Sequence, residues 1–163
     1  MIKERNKKEI ILMIVAAILA AIILFSVIFY VRASRPYRQA RSEAVALAEK
    51  HADLEETDQF YWFTREKTYF SLTGKNKKGQ DIAVIIPQSG GKITLLSQDE
   101  GITEAEARAI INKAYPQESV KKTSLGLFKN EPVWEVVTQS SKGMNYYLVS
   151  FKDGEEVNKI ANI

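Results

Sequence analysis

Three places in the chain hold residue types whose spacing could do chemistry. Ser89 and Lys92, in the string Ser89-Gly90-Gly91-Lys92, have the S-x-x-K spacing of a serine nucleophile with a lysine placed to take its proton. That chemistry needs a helix starting at the serine, and two adjacent glycines between strand-like stretches predict a turn there instead. Lys122-Thr123-Ser124, the only candidate for a partner motif, falls in a strand-like run. His51 lies near Asp53 and Glu55, but a metal site needs at least three ligands in register, and the chain has one His and no Cys. A cation near a helix C-terminus, favoured by the helix dipole, accounts for His51. Asp99, Glu100, Glu104 and Glu106 gather where a helix is predicted to start. Acid–base work would need one of them buried. Negative charge at a helix start is stabilising on its own, by roughly 0.3–1 kcal/mol each. No acid, base, nucleophile or metal set converges, so the chain reads as a non-enzyme with no cofactor and no metal.

The elements that carry these residues are set by an uneven distribution of apolar residues. The chain has 163 residues, 45% hydrophobic and 26% charged, which allows one domain or two small ones and excludes a large multidomain enzyme. Without Cys there is no disulfide framework. From Ile10 to Val31 the sequence reads IILMIVAAILAAIILFSVIFYV, uncharged, with Ser26 and Tyr30 as its polar groups. As a helix it spans roughly 33 Å, enough for a bilayer core of about 30 Å. A cleaved signal peptide would have a shorter apolar stretch of about 7–15 residues ending in small residues. Val31-Arg32-Ala33-Ser34 is a poor cleavage site, so a retained transmembrane anchor over 10–31 is expected.

Charge alone does not orient this anchor: Lys3, Arg5, Lys7 and Lys8 precede it, and Arg32, Arg35, Arg38 and Arg41 come after it. The four arginines mark the water boundary or hold phosphate-bearing polymers or lipid heads. From position 32 onward there are 19 basic residues against 18 acidic ones, so no basic stripe for nucleic acid is present.

Beyond the anchor the chain repeats itself. A helix is predicted over 42–52, with Ala40, Ala44, Leu47, Ala48 and His51 at helical spacing; a second begins 61 positions later, over 103–113, with Ala107, Ile110, Ile111 and Ala114. Thr103 and Glu106 form a capping-box pattern, and Pro116 ends the second helix. Each helix leads into strand-like stretches: 59–64, 69–75, 81–87 and 92–96, then 120–128, 133–139, 144–152 and 155–160, with turn residues at matching places. Each half therefore reads as a helix on an antiparallel meander, an α+β architecture. A unit of about 60 residues buries little core alone, so the halves are expected to pack together.

The aromatic run Phe60-Tyr61-Trp62-Phe63 bears on how they do so. Alternation sends Phe60 and Trp62 to one sheet face and Tyr61 and Phe63 to the other. One face lies under the helix; the other is covered by the second half or left open as a partner surface. Trp134, Tyr146 and Tyr147 pose the same question. Phe60, Tyr61, Trp62, Phe63, Trp134 and Tyr147 are the candidate partner-binding residues.

The second half, from Gly101-Ile102-Thr103-Glu104-Ala105-Glu106-Ala107 through Pro132-Val133-Trp134-Glu135-Val136 to Tyr147-Leu148-Val149-Ser150-Phe151-Lys152-Asp153-Gly154, resembles a PepSY domain. The family pattern is an acidic helix start, a W-x-V strand and a closing hairpin; here Ser150 or Phe151 stands where the closing strand usually has an aspartate. The whole layout is similar to the TseB-type cell-wall elongation regulators of Gram-positive bacteria, which carry an anchor and tandem PepSY-like, cystatin-like units. The resemblance implies a short cytoplasmic tail at 1–9, a transmembrane helix at 10–31, and PepSY-like units at 32–98 and 99–163. It also implies a single-pass cell-membrane protein with its C-terminal domain extracytoplasmic, no catalytic residues, and a penicillin-binding transpeptidase or other cell-wall synthesis protein as partner. The alternative is a PepSY-type peptidase inhibitor or chaperone-like module at the membrane surface.

Overall fold

The computed structural model describes residues 2–161, with side chains from residue 7 onward; the side chains of Lys3 and Arg5 lie outside the described residues. The chain forms two units, 1–39 and 40–163. In the first, helix α1 covers Ile2–Ala33. Ile11, Leu12, Met13, Ile23, Phe25 and Phe29 are exposed on its various sides. A helix apolar all round belongs in a core or in lipid. The described residues leave its apolar window uncovered, and it is long and apolar enough to cross a membrane. Helix α2, Arg35–Ala52, starts after a break at Ser34. Pro36 causes the break, because it has no N–H to donate and its ring crowds the carbonyl four residues back.

The second unit holds two sheets, each a four-stranded antiparallel meander in sequence order. The first contains β1 (Leu54–Thr64), β2 (Thr68–Asn76), β3 (Asp81–Pro87) and β4 (Thr94–Ser97). The second contains β5 (Ser119–Phe128), β6 (Glu131–Ser140), β7 (Gly143–Ser150) and β8 (Glu156–Ile160). Helix α3, Glu104–Ala114, precedes the second sheet and has the expected capping box: Thr103 accepts from the Glu106 N–H, and the Glu106 carboxylate accepts from the Thr103 N–H at 2.8 Å. The expected α+β architecture is the one observed. Ser89 to Lys92 is a turn with Gly90 and Gly91 at positive φ, and Lys122 to Ser124 lies in β5.

Each face of the first sheet has its own core. Ala40, Ala44, Ala48 and Ala52 of α2 pack on Phe60, Phe70, Leu72, Ile82, Val84 and Ile86. A stripe of methyl groups at four-residue spacing lets the helix lie close to the strands. The stripe is narrow, and Leu47 and His51, expected on this face, are exposed beside it. Ala114 of α3 is likewise exposed, leaving Ala107 and Ile111 as that helix's fully buried residues.

The opposite face of the first sheet, with Tyr61, Phe63, Tyr69, Ala83 and Ile85, belongs to one core with Leu125, Val133, Trp134, Val136 and Tyr147 of the second. The second half thus covers the face that no helix covers. It does so through β5, an edge strand whose backbone needs partners on its outer side. The buried Ser71 hydroxyl donates to the Leu125 carbonyl at 2.8 Å, and the Lys122 ammonium donates to the Trp62 carbonyl at 3.1 Å. The Phe63 ring lies directly on Gly126: a Cβ there would come within 2.3 Å of it.

Gly126→Ala must therefore displace a fully buried ring or separate the halves, an overpacking cost of about 1–3 kcal/mol. Urea unfolding of the chain in detergent should show that loss. Adding Phe63→Leu should restore part of it, since the smaller side chain makes room for the methyl group. An additive double mutant would show that the two residues do not meet.

Candidate interaction surface

Burial places the candidate partner-binding rings. Phe63, Trp134 and Tyr147 are at most 2% exposed, and Phe60 and Tyr61 are also buried. Trp62 alone keeps a partly exposed surface, and it packs edge-on against the Phe70 ring at 5.0 Å. Alternation did divide the run: Phe60 and Trp62 face α2, and Tyr61 and Phe63 face the second half. Both faces found apolar cover, so these rings serve packing. Tyr61 meets Trp134 edge to face at 5.3 Å and donates its hydroxyl to Glu104 at 2.9 Å. Burial, and then the hydrogen bond to Glu104, raises the Tyr61 pKa well above that of a free phenol. Trp134 donates its indole N–H to the Ile102 carbonyl at 2.8 Å.

In the second unit an open apolar groove of about 750 Å³ lies elsewhere. Its walls come from β4 (Leu96), the β5–β6 hairpin (Phe128, Pro132, Val133), and the end of the second meander (Phe151, Val157), with Glu100, Lys129, Glu131, Lys152 and Asp153 also lining it. Local chemistry fixes each wall. Lys129 and Asn130 both have positive φ and join Phe128 to its partner Glu131, the backbone of a tight primed hairpin turn. Phe151 is held by its own backbone: its N–H donates to the Pro132 carbonyl at 3.0 Å, and its carbonyl accepts from Ile102 N–H at 2.7 Å. Gly101 makes room for its ring, which a Cβ there would strike at 2.2 Å. Val157, on the edge strand β8, is half exposed. Segments far apart in sequence build the groove, so no local spacing announced it.

Two polar clusters lie outside the groove. In one, Arg65 of the β1–β2 turn forms an ion pair with the nearly buried Glu135 of β6, which also accepts from the Ser124 hydroxyl at 3.3 Å. The Arg65 guanidinium stacks 4.6 Å over the Tyr146 ring. In the other, Glu118 accepts from the hydroxyls of Thr138 and Tyr147, the latter at 2.9 Å. Tyr147 stacks on Tyr115 at 4.3 Å, and the Lys159 ammonium lies 4.2 Å over Tyr115. Neither group holds the acid, base and nucleophile of a reaction centre. Among the described residues no set of three or more His, Cys, Asp or Glu is placed to hold a metal.

A helix on a four-stranded meander, repeated once and preceded by a helix fit to cross a membrane, defines an anchored tandem module of the PepSY type. Residues 43–87 match the family described as "Cell wall elongation regulator TseB-like domain", and residues 101–159 match "Peptidase propeptide and YPEB domain". The chain is 30% identical over 151 residues to the Bacillus subtilis (strain 168) protein named "Probable cell wall elongation regulator TseB", covering 91% of this chain and 92% of that one. A solved structure of the YpmB protein from Bacillus subtilis is 29% identical, with a TM-score of 0.64, covering 74% of this chain and 95% of that one. This chain belongs to the TseB-like family.

The Glu118 cluster makes a pH prediction. Burial works to raise its pKa, but hydrogen bonds from Thr138, Asn145 and Tyr147 and the Lys159 charge outweigh it, leaving the folded value below the ordinary 4.5. A carboxyl held low in the folded state stabilises fully above that ordinary value and loses its contribution as pH falls through the folded one. Glu118→Gln should therefore flatten part of the acid limb of a stability–pH curve, measured as urea midpoints at a series of pH values. An unchanged acid limb would show that Glu118 is not held this way.

Proposed function

We propose that this chain is a non-enzymatic regulator of cell wall elongation that works by binding a penicillin-binding transpeptidase on the outer side of the membrane. The observation that supports this is the match to a chain named "Probable cell wall elongation regulator TseB" along nine-tenths of both lengths. In this reading residues 1–9 are a cytoplasmic tail, 10–31 cross the membrane, and 32–98 and 99–163 are two extracytoplasmic PepSY-like units. The anchor confines both partners to one plane, which raises their effective concentration so that a modest contact suffices. The groove walled by Leu96, Phe128, Phe151 and Val157 supplies that contact: it is concave, apolar and edged with charge, the pattern of a partner site rather than of a reaction centre.

Cross-linking in intact cells, with a tagged chain recovered in detergent, tests the reading. A transpeptidase should be enriched, and Val157→Glu should reduce its recovery several-fold with the fold intact by circular dichroism, because Val157 is exposed. Enrichment of a peptidase without any wall-synthesis enzyme would replace this reading with the inhibitor one, which the peptidase-propeptide match over 101–159 favours. Full transpeptidase recovery with Val157→Glu would remove the groove from the proposal.

A further inference from the structure

We propose that Arg32, Arg35 and Arg38 form a collar that binds anionic phospholipid headgroups where the apolar helix meets water. The inference rests on reading α1 as a membrane span and is independent of which protein partner the chain has. Its first support is composition. Four of the chain's seven arginines lie within positions 32–41, and that stretch has no lysine; beyond it the chain has 13 lysines and two arginines. Any cation marks a water boundary. A phosphate diester selects for arginine, whose planar fork donates two parallel hydrogen bonds where an ammonium acts as a point charge.

Geometry is the second support. The uncharged run ends at Val31, and Arg32, Arg35 and Arg38 are all exposed within the next seven residues. The Arg38 guanidinium turns back along the chain, donating from Nη2 to the Val31 carbonyl at 3.2 Å. That carbonyl also accepts from the Ser34 hydroxyl at 3.2 Å. Arg38 is thus held at the level of the last apolar residues, where headgroup phosphates lie, with donors left over for a ligand. Tyr30 and Tyr37, both exposed, bracket the same level with rings suited to the interfacial zone. Charge complementarity and continuity with the span therefore point to one occupant, the anionic lipid of the bilayer itself.

The test uses the full chain in bilayers of equal parts phosphatidylglycerol and phosphatidylcholine, with retained lipids counted by native mass spectrometry. Flotation with pure phosphatidylcholine vesicles and the helical circular dichroism signal establish insertion and folding for every variant. The wild type should retain phosphatidylglycerol preferentially. R32Q/R35Q, which leaves the Arg38 contact in place, and R32Q/R35Q/R38Q should lower that preference by about fivefold per arginine removed. R32K/R35K/R38K should fall between wild type and the glutamine variants. Equal preference in the wild type and the triple glutamine variant overturns the collar, and a triple lysine variant equal to wild type overturns the guanidinium recognition. Loss of the retained phosphatidylglycerol on adding excess inorganic phosphate would make it a general phosphate site and overturn the lipid assignment.

Discussion

The second unit depends on the fact that the first sheet has two apolar faces and one helix to cover them. Strands β2 and β3 are buried on both sides, from Tyr69 to Gly74 and from Ile82 to Ile86. A four-stranded sheet in water tolerates one solvated face only when that face is polar, and here it carries Tyr61, Phe63, Tyr69 and Ile85. The second half must close that face, and the sequence prepares β5 for the task. Gly126 accepts the Phe63 ring, and the Leu125 carbonyl receives the Ser71 hydroxyl. Tyr61–Glu104, Arg65–Glu135 and Lys122–Trp62 then add polar links around the same apolar contact. Of these, the Arg65–Glu135 ion pair adds little net stability, since a buried or half-buried pair offsets much of its attraction with lost hydration.

The alternation and turn signals made most of this legible. The capping box of α3, the Ser89–Lys92 turn, the two meanders and the division of Phe60 to Phe63 between two faces all arise from local spacing. Each feature that escaped did so for a physical reason. The first residues of β1, Leu54-Glu55-Glu56-Thr57-Asp58, are too charged to read as a strand. They are drawn into the sheet by pairing with β2 across two register shifts, at a point where Gly74 lets the Glu56 carbonyl approach closer than any Cβ would allow. Leu47 looked like a core residue because it falls at helical spacing with Ala40, Ala44 and Ala48, yet close packing selected the alanine stripe instead. The groove could not be read at all. Its walls at Leu96, Phe128 and Phe151 come together only after both sheets have formed.

The same counting of faces bears on where a partner can bind. α2 occupies one face of the first sheet and the second half occupies the other, so the aromatic rings that looked most like a docking site are committed to folding. The second half is less completely covered. Its α3 is short, eleven residues, and strand β4 beside the groove has only four. It stops at Ser97 and leads through the Gln98–Glu100 turn to α3, and its Leu96 lines the groove of about 750 Å³. The halves thus keep one topology under different cover: both faces of the first sheet are filled, and an apolar groove stays open between Leu96 of the first meander and Phe128, Phe151 and Val157 of the second.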